Sequence, residues 1–409
     1  MVSFPRAVAA GVFLGVAEAI FRFNALNPGA PEFIQETSII DFVFSLLVAG
    51  AVYLQSRRSG DDGVFAFAPK VRPVPERLKE LWWVRHLANM FLALLLAAAV
   101  VLPLIVTRPS RHLLYASILC FAICAVSVTV ITGWSGQLSL SQMTFAGLGA
   151  LFAAALDRGL EMDVWFVDFE AAGLPFLVAI PLAAVIVAAI AALIGIGALR
   201  VRGLLLAVIT FVFAIAAQSY LYRRPMLSDG QTSSVPFRRG ELFGLDLTSQ
   251  RRYYYLCLVV LVFVLAIVAR LRRSGIGRTT IAVRDNPDTA SAYTVSPTAT
   301  KLRAFALAGG IAALGGGLLA GLVQNVPFSE RFFQVGDSLR LVGMVVIGGI
   351  GSILGPVLGA LWIIGLPAFF PDNELVPLFT SSIGLLLIVM YFPGGFVQIG
   401  YSARSALLD

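Results

Sequence analysis

The residues best suited to binding chemistry lie between two apolar blocks, from Thr132 to Gln142. Gly133 and Gly136 let the backbone unwind there, and Ser135, Gln137, Ser139, Ser141 and Gln142 supply neutral hydroxyl and amide groups. At membrane depth such groups are costly against lipid, so they line something polar. A neutral lining holds a zwitterion through hydrogen bonds and still releases it, which fixed charges would not. The other reading of these residues is an ordinary helix-breaking turn at the membrane surface.

A second stretch runs from Gly275 to Tyr293 and carries Arg278, Arg284, Asp285, Asn286 and Asp288, followed by Lys301, Arg303 and Phe305. Asp285, Asn286 or Asp288 caps a short helix predicted from Pro287, whose ring suits a first helical turn. Held between two membrane segments, such a helix is either a lever or simply a solvated surface helix. A third stretch holds Gly343, Gly348, Gly349 and Gly351 before Gly355 and Pro356. Glycines in this density mark an interrupted segment beside a path, or close helix packing through small residues.

The elements that position these residues follow from composition. Of 409 residues, 58% are apolar and 13% charged, against roughly 25% charged in a soluble domain. The apolar residues fall in blocks long enough to cross a hydrocarbon core about 30 Å thick as helices. Because they lack apolar/polar alternation, a β-barrel is excluded, and the fold class is all-α, a polytopic helical membrane protein. The main body offers about ten segments, near 86–106, 112–131, 143–156, 174–199, 203–221, 253–270, 302–323, 338–354, 355–370 and 375–392. Two of these, 143–156 and 338–354, are short or re-entrant. Two more precede the body, near 5–21 and 38–54. Arg6 before the apolar run from Ala7 to Ile20 imitates a secretory signal, but the run leads into a second apolar block.

Charge assigns the sides. The net charge of +7 is gathered in short connections, the positive-inside pattern rather than a nucleic-acid surface. The connection 271–301 and the linker 56–85, with Arg57, Arg58, Lys70, Arg72, Arg77, Lys79 and Arg85, are expected in the cytoplasm, and the acidic connection from Asp157 to Glu170 outside. Residues 222–252 are then external despite Arg223, Arg224, Arg238, Arg239, Arg251 and Arg252. Cys120, Cys124 and Cys257 fall inside apolar blocks and form no disulfide framework, and His86 and His112 alone suggest no metal site.

Together the three stretches resemble the branched-chain amino acid permease family of ATP-binding cassette (ABC) importers, in particular its LivM-like second permease subunit. The family's signature resembles Thr132 to Gly149, its coupling segment Gly277 to Phe305, and its glycine-rich close Val345 to Ser352 with Gly355 to Ala360. The three occur in family order and bracket nearly all of 86–400. Departures are Ser141 for a usual glycine, Asp285 for the usual glutamate and Thr294 for a common glycine.

The resemblance implies a non-enzymatic transport subunit, with a domain over 86–400 and a cytoplasmic tail at 401–409. Gly133, Ser135, Gly136, Gln137, Ser139, Ser141 and Gln142 are expected along the solute path. Arg278, Arg284, Asp285, Asn286 and Asp288 are expected at the ATPase contact, with Gly348, Gly349, Gly351 and Gly355 in the glycine-rich segment. Implied partners are a LivH-like permease domain, two ABC ATPase subunits, an extracytoplasmic solute-binding protein and the bilayer of the bacterial inner membrane. No cofactor is expected on this chain. It has no Gly-x-x-x-x-Gly-Lys-Ser/Thr loop, so ATP belongs to the partner ATPase. Urea, short amides or other hydrophobic amino acids are alternative solutes.

A secondary transporter would need intramembrane ionisable residues; Glu18 and Asp41 lie in the N-terminal pair, but the main body has almost none between its span ends. A membrane enzyme would need a clustered nucleophile, base or metal set. Residues 1–55 look like the closing two helices of the sister permease, joined through 56–85 by a truncated fusion or a misplaced start, with a lineage-specific extension as the alternative.

Overall fold

In lipid an apolar block must satisfy its own backbone, so it forms a helix. In the computed structural model of this chain each of the twelve expected segments is helical. The structure describes residues 4–25, 37–55, 82–164, 167–199, 201, 203–228, 234–242, 245–327, 333–370, 375–392 and 394–400. The linker expected at 56–85 lies outside the described residues as far as 81, and the tail 401–409 lies wholly outside them.

The N-terminal pair is α1 (Phe4–Ala25) and α2 (Thr37–Gln55). The body follows with α3 (Trp82–Ile105), α4 (Pro109–Trp134), α5 (Gln142–Arg158), α6 (Phe176–Ala198), α7 (Leu204–Leu221) and α8 (Gln250–Arg273). Two short helices, α9 (Gly275–Asp285) and α10 (Pro287–Ala292), lead to α11 (Pro297–Val323). Then come α12 (Val335–Gly348), α13 (Gly355–Ala368) and α14 (Leu375–Tyr391), and residues 395–400 are helical as well. Among the described residues five helices, α4, α6, α7, α8 and α11, are long and apolar enough to cross a membrane. The chain is therefore a multi-pass membrane protein.

Burial ranks the helices. The apolar window of α4 is 83% buried and that of α11 72%, against 33% for α6 and α8, so α4 and α11, with the buried α5, form the centre, and α6 and α8 turn a face outward. Between helices in lipid, association depends on close packing, which small residues allow. A methyl added at Gly316 of α11 would stand 1.9 Å from the Ala146 carbonyl oxygen of α5, and one at Gly149 of α5 would stand 2.4 Å from the Ala313 backbone of α11. Gly315 meets Cys124 of α4 in the same way, and Gly309 meets Ala191 of α6.

Among the described residues strands are short and confined to the connections between helices. β1 (Leu160–Val164) pairs with β2 (Val167–Ala171) as a hairpin whose register sets Glu161 opposite Glu170 and Asp163 opposite Asp168. β3 (Ser234–Pro236) pairs with Asn325–Pro327, which ties the 222–252 connection to the end of α11. That connection explains its own basic residues in part. Arg239 is buried, and it donates from Nε to the Gly321 carbonyl at 2.6 Å and from Nη2 to the Leu322 carbonyl at 2.8 Å. Its guanidinium lies 3.9 Å over the Tyr253 ring. These are the orphan carbonyls at the C-terminus of α11, where the helix dipole favours a cation. Burial pulls the Arg239 pKa below its ordinary value, while arginine keeps its proton. Replacing Arg239 by Met should cost on the order of 3 kcal/mol, since the carbonyls lose their donors, and should lower the thermal midpoint in detergent measurably.

The N-terminal pair is tied internally by Arg22, which bridges to Asp41 at 2.7 Å and Glu18 at 2.9 Å. It is docked on the body by α2, whose Phe42 stacks on Tyr220 of α7 at 4.7 Å, and Arg224 lies 3.5 Å over the same Tyr220 ring.

Candidate functional site

Helix α4 does not end as an α-helix. Its last turn, Thr129–Trp134, widens to π geometry, and the chain then unwinds through Gly136, whose φ of +67° favours glycine. The Gln137 backbone N–H donates back to the Ile131 carbonyl at 3.1 Å, and Thr132 Oγ1 donates to the Gln137 backbone carbonyl at 3.2 Å. From Ser141 the chain re-enters the core as α5. Its first turns are buried because Ala and Gly face α11 at close range.

The polar side chains expected along a path are therefore interior. Ser135, Gln137, Ser139, Ser141 and Gln142 are all buried, and Ser139, Ser141 and Gln142 have no exposed surface at all. Part of the set is linked. Ser139 and Ser141 hydroxyls lie 3.1 Å apart, Gln142 Nε2 reaches Ser139 Oγ at 3.4 Å, and Ser127 Oγ donates to Gln142 Oε1 at 3.0 Å. The remainder is not. Among the described residues, every buried side-chain polar atom without a partner within the chain falls between Thr129 and Thr144. These are Thr129 Oγ1, Trp134 Nε1, Ser135 Oγ, both amide atoms of Gln137 and Thr144 Oγ1. Each such atom costs about 1–3 kcal/mol unless something polar meets it.

Side chains from other helices fix the backbone of this segment. Thr210 Oγ1 of α7 accepts from Leu140 N at 3.0 Å, and Ser338 Oγ of α12 accepts from Met143 N at 3.1 Å. The Tyr222 hydroxyl donates to the Thr144 carbonyl at 3.0 Å. None of these three stands out in a motif. Thr210 is an isolated hydroxyl in an apolar run, and that isolation is the signal that could have found it, whereas Ser338, flanked by Asp337 and Arg340, gives none.

The stretch 275–293 forms two short helices, as its capping residues require. Asn286 is the cap of α10, accepting from Thr289 N at 2.9 Å, with Pro287 in the first turn. Arg278, Asp285, Asn286 and Asp288 are exposed. Arg284 turns inward and donates from Nη1 to the Gly133 carbonyl at 2.7 Å, while Asp285 Oδ1 holds its Nε at 2.9 Å and Nη2 at 2.8 Å. After α10 the chain turns at Thr294 with φ +64°, a left-handed conformation that accounts for the glycine usual there.

The glycine-rich close is two different things. Gly348, Gly349 and Gly355 sit where backbones touch: a methyl at Gly348 would stand 1.8 Å from the Gly355 carbonyl oxygen, and one at Gly355 would stand 2.5 Å from that of Gly349. Gly349 also has φ +116°. A methyl added at Gly351 would meet nothing within 4 Å. The same turn brings the Ile350 carbonyl against Gly133, where a methyl would lie 2.3 Å from it. All three motifs thus meet at the unwound end of α4.

Membrane helices thus surround a polar unwound segment, and Arg284 of the short helix α9 touches it. The family described as branched-chain amino acid transport system, permease component, matches residues 108–370, and the chain belongs to that family. It is 26% identical over 335 residues to the high-affinity branched-chain amino acid transport system permease protein LivM of Salmonella typhimurium, covering 76% of this chain and 75% of that protein. LivM of Escherichia coli gives the same identity and coverage. The fructose import permease protein FrcC of Rhizobium meliloti is 28% identical over 183 residues, 43% of this chain and 50% of that one. No solved structure matches the chain.

Proposed function

We propose that this chain is the LivM-like permease subunit of an ABC importer in the bacterial inner membrane, and that it passes branched-chain or other hydrophobic amino acids along the segment 133–142. It works beside a LivH-like permease domain and two ATPase subunits, with an extracytoplasmic binding protein delivering solute. The observation that carries this reading is the confinement of unpartnered buried polar atoms to Thr129–Thr144. Neutral donors and acceptors in a low-dielectric interior suit an ammonium and a carboxylate that must be held and then let go.

The basic balance of the connection 271–301, to which Arg278 and Arg284 of α9 contribute, supports a cytoplasmic position for α9 and α10, against the ATPase. From that side the remaining helices alternate, so α14 runs inward and the C-terminus is cytoplasmic. ATP-driven movement of α9 and α10 reaches the path through contacts at Gly133, and the path then opens to one side or the other.

The test is uptake by proteoliposomes holding the whole complex with its binding protein. ATP-dependent accumulation of leucine, isoleucine and valine, lost when this chain is omitted, is the expected result. Accumulation of fructose or urea with none of leucine would overturn the solute assignment.

A further inference from the structure

We infer that Arg284 is a positioning residue that latches the solute path shut at its coupling end. This rests on the reading of 133–142 as the path. The guanidinium spans from α9 to the Gly133 carbonyl, 151 residues away in sequence, at 2.7 Å. Its aliphatic stem packs under Gly136, where an added methyl would stand 2.6 Å from Arg284 Cγ. One side chain therefore covers both glycines at which α4 unwinds.

Its neighbours complete the closure. The Ile350 carbonyl abuts Gly133 from the turn after α12. Arg272, at the end of α8, lies 6.0 Å over the Trp134 ring. Of these contacts only the one from Arg284 is both a charge-assisted hydrogen bond and a part of the α9 helix, so it releases when α9 moves. Asp285 holds the guanidinium edge through Nε and Nη2 and leaves Nη1 for the carbonyl. The exposed carboxylate thus acts through Arg284 and not on the path. A latch made to a main-chain carbonyl demands a cation of the right reach, not a particular partner side chain.

The experiment measures access and needs no solute. A single cysteine replaces Ser135 in a chain whose three native cysteines are removed, assembled in the full importer in inside-out vesicles without nucleotide. A membrane-impermeant maleimide then reports how often the path opens at this end. Arg284→Ala and Arg284→Gln should raise the labelling rate about tenfold, the change expected for an opening equilibrium that loses one charge-assisted hydrogen bond. Arg284→Lys, which keeps the stem and the cation, should stay near the parent rate.

A control cysteine at Ala150, wholly buried in α5, should stay unlabelled throughout. Equal labelling at Ser135 in all four proteins would overturn the latch. So would labelling at Ala150 in the variants, which would mean that Arg284 merely holds the fold together. Because no amino acid is added, an error in the assigned solute leaves these outcomes unchanged, and uptake assays detect that error separately.

Discussion

Gly133→Ala should abolish ATP-driven uptake while the protein still inserts and folds. The added methyl would stand 2.3 Å from the Ile350 carbonyl oxygen, a backbone atom with no rotamer to escape into. Either the end of α4 or the turn after α12 must shift. A shift at α4 displaces the Gly133 carbonyl from Arg284 and moves Ser135 and Gln137 with it. Overpacking of this kind costs about 1–3 kcal/mol, which a helical body centred on α4, α5 and α11 tolerates, whereas a path whose donors move by an ångström does not. Uptake and membrane expression measured side by side separate the two effects. Normal uptake by Gly133→Ala would remove Gly133 from the path.

The second large effect is on stability and distinguishes two glycines three residues apart. Gly348→Ala should lower the thermal midpoint sharply, because its methyl would lie 1.8 Å from the Gly355 carbonyl oxygen at the meeting of α12 and α13. The segment is pinned elsewhere too. Gly349 has φ +116°, and Gly395, with φ +68°, lies so close that its own methyl would stand 2.6 Å from Gly349 N. No neighbour can give way cheaply, so the cost is about 3 kcal/mol or more. Gly351→Ala meets open space and should change stability by no more than about 0.5 kcal/mol. Thermal unfolding of the two variants in detergent checks the pair, and equal midpoints would refute the packing described at Gly348.

Much of this architecture is legible in the residues because lipid leaves an apolar block few choices. The helices appear where hydropathy places them, and Asn286 and Pro287 begin α10 as their chemistry dictates. Boundaries differ where a polar residue extends a helix beyond its apolar run: α11 begins at Pro297, capped by Ser296, and not near 302. The apolar run 338–354 ends as a helix at Gly348, since positive φ at Gly349 breaks it.

What could not be read was contact over long separation. Nothing in the order of residues says that Arg284 meets Gly133, that Ile350 closes on the same residue, or that Arg239 caps α11. Composition likewise cannot separate Gly348 from Gly351, because the difference lies in which backbone passes nearby. The arginines of 222–252 obscure the topology for a related reason. Charge counting treats each as a solvated cation, yet Arg239 is buried on carbonyls and Arg224 lies over an aromatic ring.

The central claim is that 133–142 lines the path, and the most direct measurement is solute protection of engineered cysteines. Cysteines placed singly at Ser135, Gln137 and Ser139 in the assembled importer are exposed to a small water-soluble thiol reagent in nucleotide-free and ATP-trapped states. The account predicts that each reacts in at least one state, and that leucine delivered by the binding protein slows the reaction. Cysteines that stay unreactive in every state would contradict it and return the segment to an ordinary buried turn.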